Sequence, residues 1–303
     1  MKNKIAITTG DFNGIGAEIT IKALKFFNPE DFILISNREI LNFYGGQNLN
    51  CEIVEIPFDG EITPGKITKE SGEFCYQSIK KACEISPKAL VTAPISKEAL
   101  HLGCRFYNGH TELLEKFLGQ GKDKAEMLFV ANNFRVLLLT RHCALKDVNI
   151  TKELIIEKTE RLISELPIKN PKLAICGLNP HAGENGILGT EELEIIIPAI
   201  EILRQRGIEI SMPKPSDTLF VPASKAYKEG TEMPYDCYLA MYHDQGLIPM
   251  KVIAGEKAVN VTIGLNTLRT SPSHGTAFDI AGKNCADFTP MVEAIKVAIE
   301  MTN

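Results

Sequence analysis

The chain has no tryptophan, no Cys-x-x-Cys pair, no block of lysine and arginine, and no long uncharged apolar run. Each absence removes a class of protein. Without paired spacing, the eight cysteines (51, 75, 83, 104, 143, 176, 237 and 285) argue against a disulfide framework or a cysteine zinc site. They read as reduced, mostly buried small hydrophobes. With 33 Lys+Arg against 38 Asp+Glu and a net charge of −5, the chain lacks the footprint of a polyanion binder, so nucleic acid is not an expected partner. The most apolar stretch, LEIIIPAIEIL, is broken by Glu194, Pro198 and Glu201, well short of the roughly 18 residues of a membrane span. The N-terminus MKNKIAITTGD runs straight into a strand-like segment with no apolar signal core or cleavage site, so a cytoplasmic location is expected. No repeat, low-complexity tract or Gly/Ser linker is present.

What is present is an alternation of two periods. Short β-branched or apolar runs, KIAIT (4–8), FILIS (32–36), CEIVEI (51–56), ALVTA (89–93), KLAIC (172–176), DCYLAM (236–241) and AVNVTI (258–263), read as strands buried on both faces. Between them, 70–85, 152–165 and 190–206 carry apolar residues at spacings of three and four, the pattern of amphipathic helices. The fold class is therefore α/β with a largely parallel sheet. One departure, MLFVANNFRVLLLT (127–140), reads as a β-hairpin turning at Ala131-Asn132-Asn133, which implies a second sheet with antiparallel character. At 303 residues and 44% hydrophobic, the chain is long enough for two domains or one large α/β unit, with a boundary in an ordinary loop near 103–108.

In such sheets the loops leaving the strands' carboxyl ends carry the chemistry. The first exit, TTGDFNGIGAEI, has the spacing G-x-x-x-G-x-G, neither a dinucleotide fingerprint nor a P-loop. It is either a glycine turn opening a helix or a ligand-contacting loop, with Asp11 as a possible helix cap. Three of the six histidines follow three different strand-like runs: His142 after RVLLLT, His181 after KLAICGLNP and His243 after DCYLAMY. If those strands are neighbours, three imidazoles converge at one sheet edge, as a three-histidine metal site with an open position requires. Such a metal keeps its full positive charge and suits polarisation of a hydroxyl or carbonyl oxygen. Anion contacts have candidates in His110 and Thr111 at the start of an amphipathic stretch, and in Lys251, Asn260 and Arg269. Thr111 or Asn108 serving merely as a cap is the plainer reading of that helix start.

The segments TTGDFNGIG, GHTELL, GLNPHAGENGILGTEE, SDTLF, AMYHDQGLIPMK, VNVTIGL and RTSPSHGTAFDIAGK, in this order, resemble the PdxA family of pyridoxal phosphate biosynthesis, the 4-hydroxythreonine-4-phosphate dehydrogenases. The resemblance spans nearly the whole chain, and GLNPHAGE and MYHDQG are its most specific parts. It implies two α/β/α domains like those of isocitrate and isopropylmalate dehydrogenases, a homodimer, and an active site at the subunit interface. On this reading residues 1–104 and 276–303 form a first, discontinuous domain, and 105–275 form a second that carries the metal ligands and dimer interface. The implied activity is oxidation of the 3-hydroxyl of 4-phosphooxy-L-threonine with NAD or NADP, followed by loss of CO2 to give 3-amino-2-oxopropyl phosphate. A divalent metal, zinc, magnesium or cobalt, is implied on His142, His181 and His243, and substrate contacts on His110, Thr111, Lys251, Asn260 and Arg269. Lys251 and Asp244 are candidates for the proton acceptor, Asp244 alternatively for the partner of a ligating histidine. His274 receives no role.

The sequence departs from the family's usual pattern at Thr9, Phe12, Asn13 and Ala17 in the first loop, in TAPISK, and at Ser273, and it is somewhat short. Competing readings are the same scaffold acting on a phosphorylated threonate or erythronate or on a cis-dihydrodiol, a metal-dependent hydrolase without nicotinamide, and a non-catalytic binding protein.

Overall fold

The apolar runs become strands and the helical-period stretches become helices in the computed structural model, which describes residues 3–107, 109–119 and 125–303. In chain order the elements are β1 (Ile5–Thr8), α1 (Gly16–Leu24), β2 (Phe32–Ser36), α2 (Arg38–Phe43), β3 (Glu52–Glu55), α3 (Lys69–Glu84), β4 (Ala89–Thr92), α4 (Lys97–Leu102) and α5 (His110–Leu118). There follow β5 (Glu126–Ala131), β6 (Phe134–Leu138), α6 (Lys152–Glu165), β7 (Leu173–Ile175), α7 (Ile197–Gln205), α8 (Ser216–Glu229), β8 (Cys237–Ala240), α9 (His243–Ala254), β9 (Val259–Ile263), β10 (Leu268–Pro272) and α10 (Thr289–Glu300). No helix among the described residues is long and apolar enough to cross a membrane.

The chain divides into two compact units, Met1–Ala125 with Val259–Asn303, and Glu126–Ala258. The sequence reading places the crossings at 104/105 and 275/276. The difference has a packing cause: α5 lies against α3, and β10 pairs in parallel with β4 and antiparallel with β9, so these elements share the first unit's core.

In the first unit the strand order is β3-β2-β1-β4-β10-β9, parallel except for the last pair. One face, carrying Ala6, Ile33, Ile35 and Leu90, packs on Phe74, Ile79, Leu113 and Leu114 of α3 and α5. The other is closed by α10, where Thr270 donates its hydroxyl to the Ala294 carbonyl. In the second unit the order is β5-β6-β8-β7, with an antiparallel β5–β6 hairpin and parallel pairs beyond it. The hairpin turns at Asn132, whose φ of 50° is the left-handed geometry that asparagine tolerates. A helical stretch expected over 190–206 opens instead with a π-helical turn, Glu192–Ile196, before α7. All eight cysteines are free; Cys51, Cys75, Cys83, Cys176 and Cys237 are buried. Burial pushes the thiols of Cys83, Cys176 and Cys237 up to about 12, so these are inert.

The first loop is structural. Residues 9–16 are buried, and a Cβ at Gly10, whose φ is +69°, would stand 2.2 Å from the Pro94 carbonyl oxygen. Asp11 does not cap α1. Its Oδ1 accepts the Asn13 N–H at 2.9 Å, and its Oδ2 accepts the Ser71 hydroxyl at 2.9 Å, fastening the loop to α3. Burial outweighs these two bonds and raises the Asp11 carboxyl to about 6.

A folded value above the unfolded one means the stabilising contribution is complete below about pH 4 and is lost as pH rises through 6. In Asp11→Asn the amide can donate to the Ser71 oxygen while that hydroxyl keeps its 3.0 Å bond to the Thr68 carbonyl. Asp11→Asn is therefore expected to exceed the parent in stability at pH 7.5, by up to about 3 kcal/mol, and to converge with it near pH 4. Thermal midpoints of both proteins across this range check it; a constant gap would refute the assignment.

Candidate active site

In the first unit, sheet register gathers a polar cluster on one face. Asn260 and Thr262 of β9 stand opposite Ser271 and Arg269 of β10, and Arg269 pairs with Leu90 of β4, which puts Thr92 on the same face. Arg269 is only 3% exposed. Its Nε and Nη2 donate to the Thr92 hydroxyl oxygen at 2.9 and 2.8 Å, Nη1 reaches Thr262 Oγ1 at 3.5 Å, and no carboxylate pairs with it among the described residues. Burial without a counter-charge pulls the guanidinium down to about 9, still charged at neutral pH. His110 is held well below the ordinary imidazole value, first by burial and then by the Arg269 charge, and is neutral. Its Nε2 is buried with no partner, as is Asn260 Oδ1.

A buried cation and two unspent polar atoms are costly unless something occupies them. The arrangement suits an anion that also carries hydroxyl or amine groups. Thr111 lies in the first turn of α5, whose N-cap is Gly109, a residue with no side chain to cap with. Thr111 is thus not a cap; Asn108, the other cap candidate, lies outside the described residues.

In the second unit, β6, β8 and β7 are neighbours and parallel, so all three histidines do leave one sheet edge. The structure brings together two of them. The rings of His142 and His243 lie 5.4 Å apart between centroids. His243 Nδ1 is 2.7 Å from Asp244 Oδ1, leaving Nε2 as the nitrogen able to ligate, the arrangement of a histidine oriented by a carboxylate. The start of α9 is held against β6 because position 246 is glycine: a Cβ there would come within 2.6 Å of Leu138 Cδ2. His181 is carried farther from its strand, exposed, on a loop whose residues 181–185 all have φ between 43° and 78°. Four of those five are not glycine, at roughly 1–2 kcal/mol each for an L-residue, so the surroundings must impose this shape.

Among the described residues, no group of three His, Cys, Asp or Glu is placed to hold a metal ion. The His142–His243 pair fits a divalent metal by donor chemistry, and a third protein ligand would have to come from outside this pair. Lys251 is exposed on α9, two turns beyond His243. The first glycine loop does not fit a dinucleotide phosphate, because its glycines close on backbone oxygens inside the protein.

Two residues with no sequence signal hold these loops. Gln245, buried, accepts the Met241 N–H at 2.6 Å and donates to the Gly177 carbonyl at 2.7 Å, tying the exit of β8 to that of β7. Glu192 accepts the backbone N–H groups of Leu178 and Asn179. Both stand within the quoted motifs, but a one-dimensional reading ranks glutamine and glutamate as surface residues.

Comparison with known proteins agrees with the motif reading. The family model of the pyridoxal phosphate biosynthetic protein PdxA matches residues 15–298. A 4-hydroxythreonine-4-phosphate dehydrogenase of Sulfurihydrogenibium sp. (strain YO3AOP1) is 40% identical over 324 aligned positions, covering 98% of this chain and 97% of the relative. That alignment is longer than the chain's 303 residues, so the relative carries segments absent here. A D-threonate 4-phosphate dehydrogenase of Cupriavidus necator is 36% identical, covering 98% of this chain and 96% of the relative. The crystal structure of 4-hydroxythreonine-4-phosphate dehydrogenase from Klebsiella pneumoniae superposes with a TM-score of 0.86 at 32% identity, covering 100% of this chain and 98% of that one. The chain belongs to the PdxA family.

Proposed function

We propose that this protein is an oxidoreductase that oxidises the 3-hydroxyl of 4-phosphooxy-L-threonine with NAD or NADP, and that the resulting 3-oxo acid loses CO2 to give 3-amino-2-oxopropyl phosphate, a step in vitamin B6 synthesis. Family membership and the names of its relatives support the reaction class. The observation that carries the substrate class is Arg269, a buried guanidinium with donors to spare and no carboxylate partner among the described residues.

Arg269 binds an anionic group of the substrate, and the orphaned Asn260 Oδ1 and neutral His110 Nε2 receive or donate hydrogen bonds to its hydroxyl or amine. Thr111 in the first turn of α5 adds a hydroxyl beside the helix N-terminus. His142 and His243 hold the divalent metal together with His181, which a second subunit of a homodimer supplies; Asp244 orients His243. A zinc, magnesium or cobalt ion held there would supply Lewis-acid chemistry toward a hydroxyl or carbonyl oxygen. Lys251 then stands as the proton acceptor, since Asp244 is engaged with His243. The nicotinamide rests on family membership alone, and no residue is assigned to it.

The Cupriavidus relative, at comparable identity, favours a second reading in which the substrate is D-threonate 4-phosphate. Nicotinamide reduction by the metal-loaded protein, with 4-phosphooxy-L-threonine beside 4-phospho-D-threonate and 4-phospho-D-erythronate and with each cofactor, decides between them. Preference for the amino acid is expected. Preference for a sugar acid would move the protein to carbohydrate breakdown on the same scaffold, and no turnover with any would sink the dehydrogenase reading.

A further inference from the structure

The loop that bears His181 adopts a left-handed path that its own residues disfavour, so something outside it must hold it there. The contacts at its root identify the holder. Leaving β7, the Leu178 and Asn179 N–H groups both point at Glu192 Oε1, at 2.7 and 2.8 Å. The Asn179 side-chain amide donates to Glu192 Oε2 at 2.9 Å and to Glu191 Oε2 at 2.6 Å. Glu192 is 2% exposed, and no cation pairs with it among the described residues. It sits in the π-helical turn before α7, a local widening of the helix that is uncommon and recurs where side chains are placed for function. A buried carboxylate satisfied solely by N–H donors of one loop is a poor way to stabilise a core and a good way to fix a backbone.

We infer that Glu192 is a positioning residue for the His181 loop: by accepting three N–H groups at the exit of β7 it sets the start of the left-handed run and thereby the place from which His181 reaches a metal. The inference rests on the proposed metal role of the histidines. It extends that role to a residue that touches neither substrate nor metal.

The test uses the full-length protein freed of metal by a chelator, with Co2+ as the probe. Glu192→Gln keeps the size of the side chain but turns one acceptor into a donor facing the Asn179 amide. It is expected to weaken Co2+ binding about 10- to 100-fold, the range in which outer partners of metal ligands act. Amide hydrogen exchange is expected to accelerate over 176–188 and nowhere else. Glu191→Gln, whose carboxylate meets the Asn179 side-chain amide but no backbone N–H at the exit of β7, is expected to change both far less. If Glu192→Gln binds Co2+ as tightly as the parent, or exchange over 176–188 is unchanged, Glu192 does not position the loop. If the parent itself binds no Co2+, the metal reading fails, and the exchange comparison still decides whether Glu192 fixes the loop. Should Glu192→Gln not fold, Asn179→Ala removes only the side-chain part of the clamp and is expected to show both changes at smaller size; neither appearing would overturn the inference.

Discussion

Replacing Arg269 with methionine is expected to lower kcat/KM by roughly a hundredfold to several thousandfold and, at the same time, to raise the melting temperature. The first effect follows from losing one side of a buried charged contact, on the order of 3–5 kcal/mol. The second follows from the energetics of the protein without substrate. The pull of the Arg269 guanidinium from 12.5 to about 9 corresponds to a desolvation cost of roughly 4–5 kcal/mol. Against this stand the two hydrogen bonds to Thr92 Oγ1, whose loss leaves a buried hydroxyl unsatisfied at about 1–3 kcal/mol. The balance favours the apolar residue by a few kcal/mol, since the desolvation cost of the charge exceeds the cost of the unsatisfied hydroxyl. Arg269→Lys keeps the charge but not the fork, and is expected to recover only part of the activity. Steady-state kinetics and thermal unfolding of the same preparations check both effects. A methionine variant that melts lower and keeps its affinity for the phosphorylated substrate would remove Arg269 from the binding machinery.

The strand that carries Arg269 is also the one element of the sheet that periodicity does not reveal. LRTSP holds one leucine among polar residues and shows no apolar run; in the fold it is β10, buried because Arg269 finds Thr92 and Thr270 finds Ala294. The strands that hydrophobic runs do reveal, such as FILIS and KLAIC, are those whose burial is simple transfer of apolar surface. The same division holds in the site. The three histidines are visible because each lies in the exit of a strong strand, and the sheet order does make those strands neighbours. That only two of them meet is invisible in the sequence, since it depends on the left-handed turn after β7, which the residues His181, Ala182, Glu184 and Asn185 disfavour individually. Glu192 and Gln245 escape for a related reason: nothing marks a glutamate or glutamine as buried until its hydrogen-bond donors are placed in space. Asp11 shows the converse, a polar residue in a glycine-rich exit that looks functional and instead fastens two buried segments together.

Mixing two inactive variants is expected to restore activity if the metal's ligands come from two subunits. His142 and His243 are adjacent within one chain, and His181 is not grouped with them. On the proposed arrangement, each site of a homodimer takes its pair from one subunit and His181 from the other. His181→Ala and His243→Ala alone are each expected to lose metal-dependent turnover by at least about a thousandfold, since removing one of three ligands removes both affinity and placement. In a heterodimer of the two, one site receives an intact pair from the His181→Ala subunit and an intact His181 from the other, while the second site lacks both. Random reassociation makes about half the dimers mixed, each with one working site, so about a quarter of parental activity should return. Combining His142→Ala with His243→Ala is the control, because both changes fall in the same adjacent pair and no dimer of these chains contains an intact site. Recovery in the first mixture and none in the second would fix His181 as the ligand from across the interface. Absence of recovery in both, with exchange of subunits verified by mass, would require all three histidines to meet within one chain, through a rearrangement of the loop at 181–185.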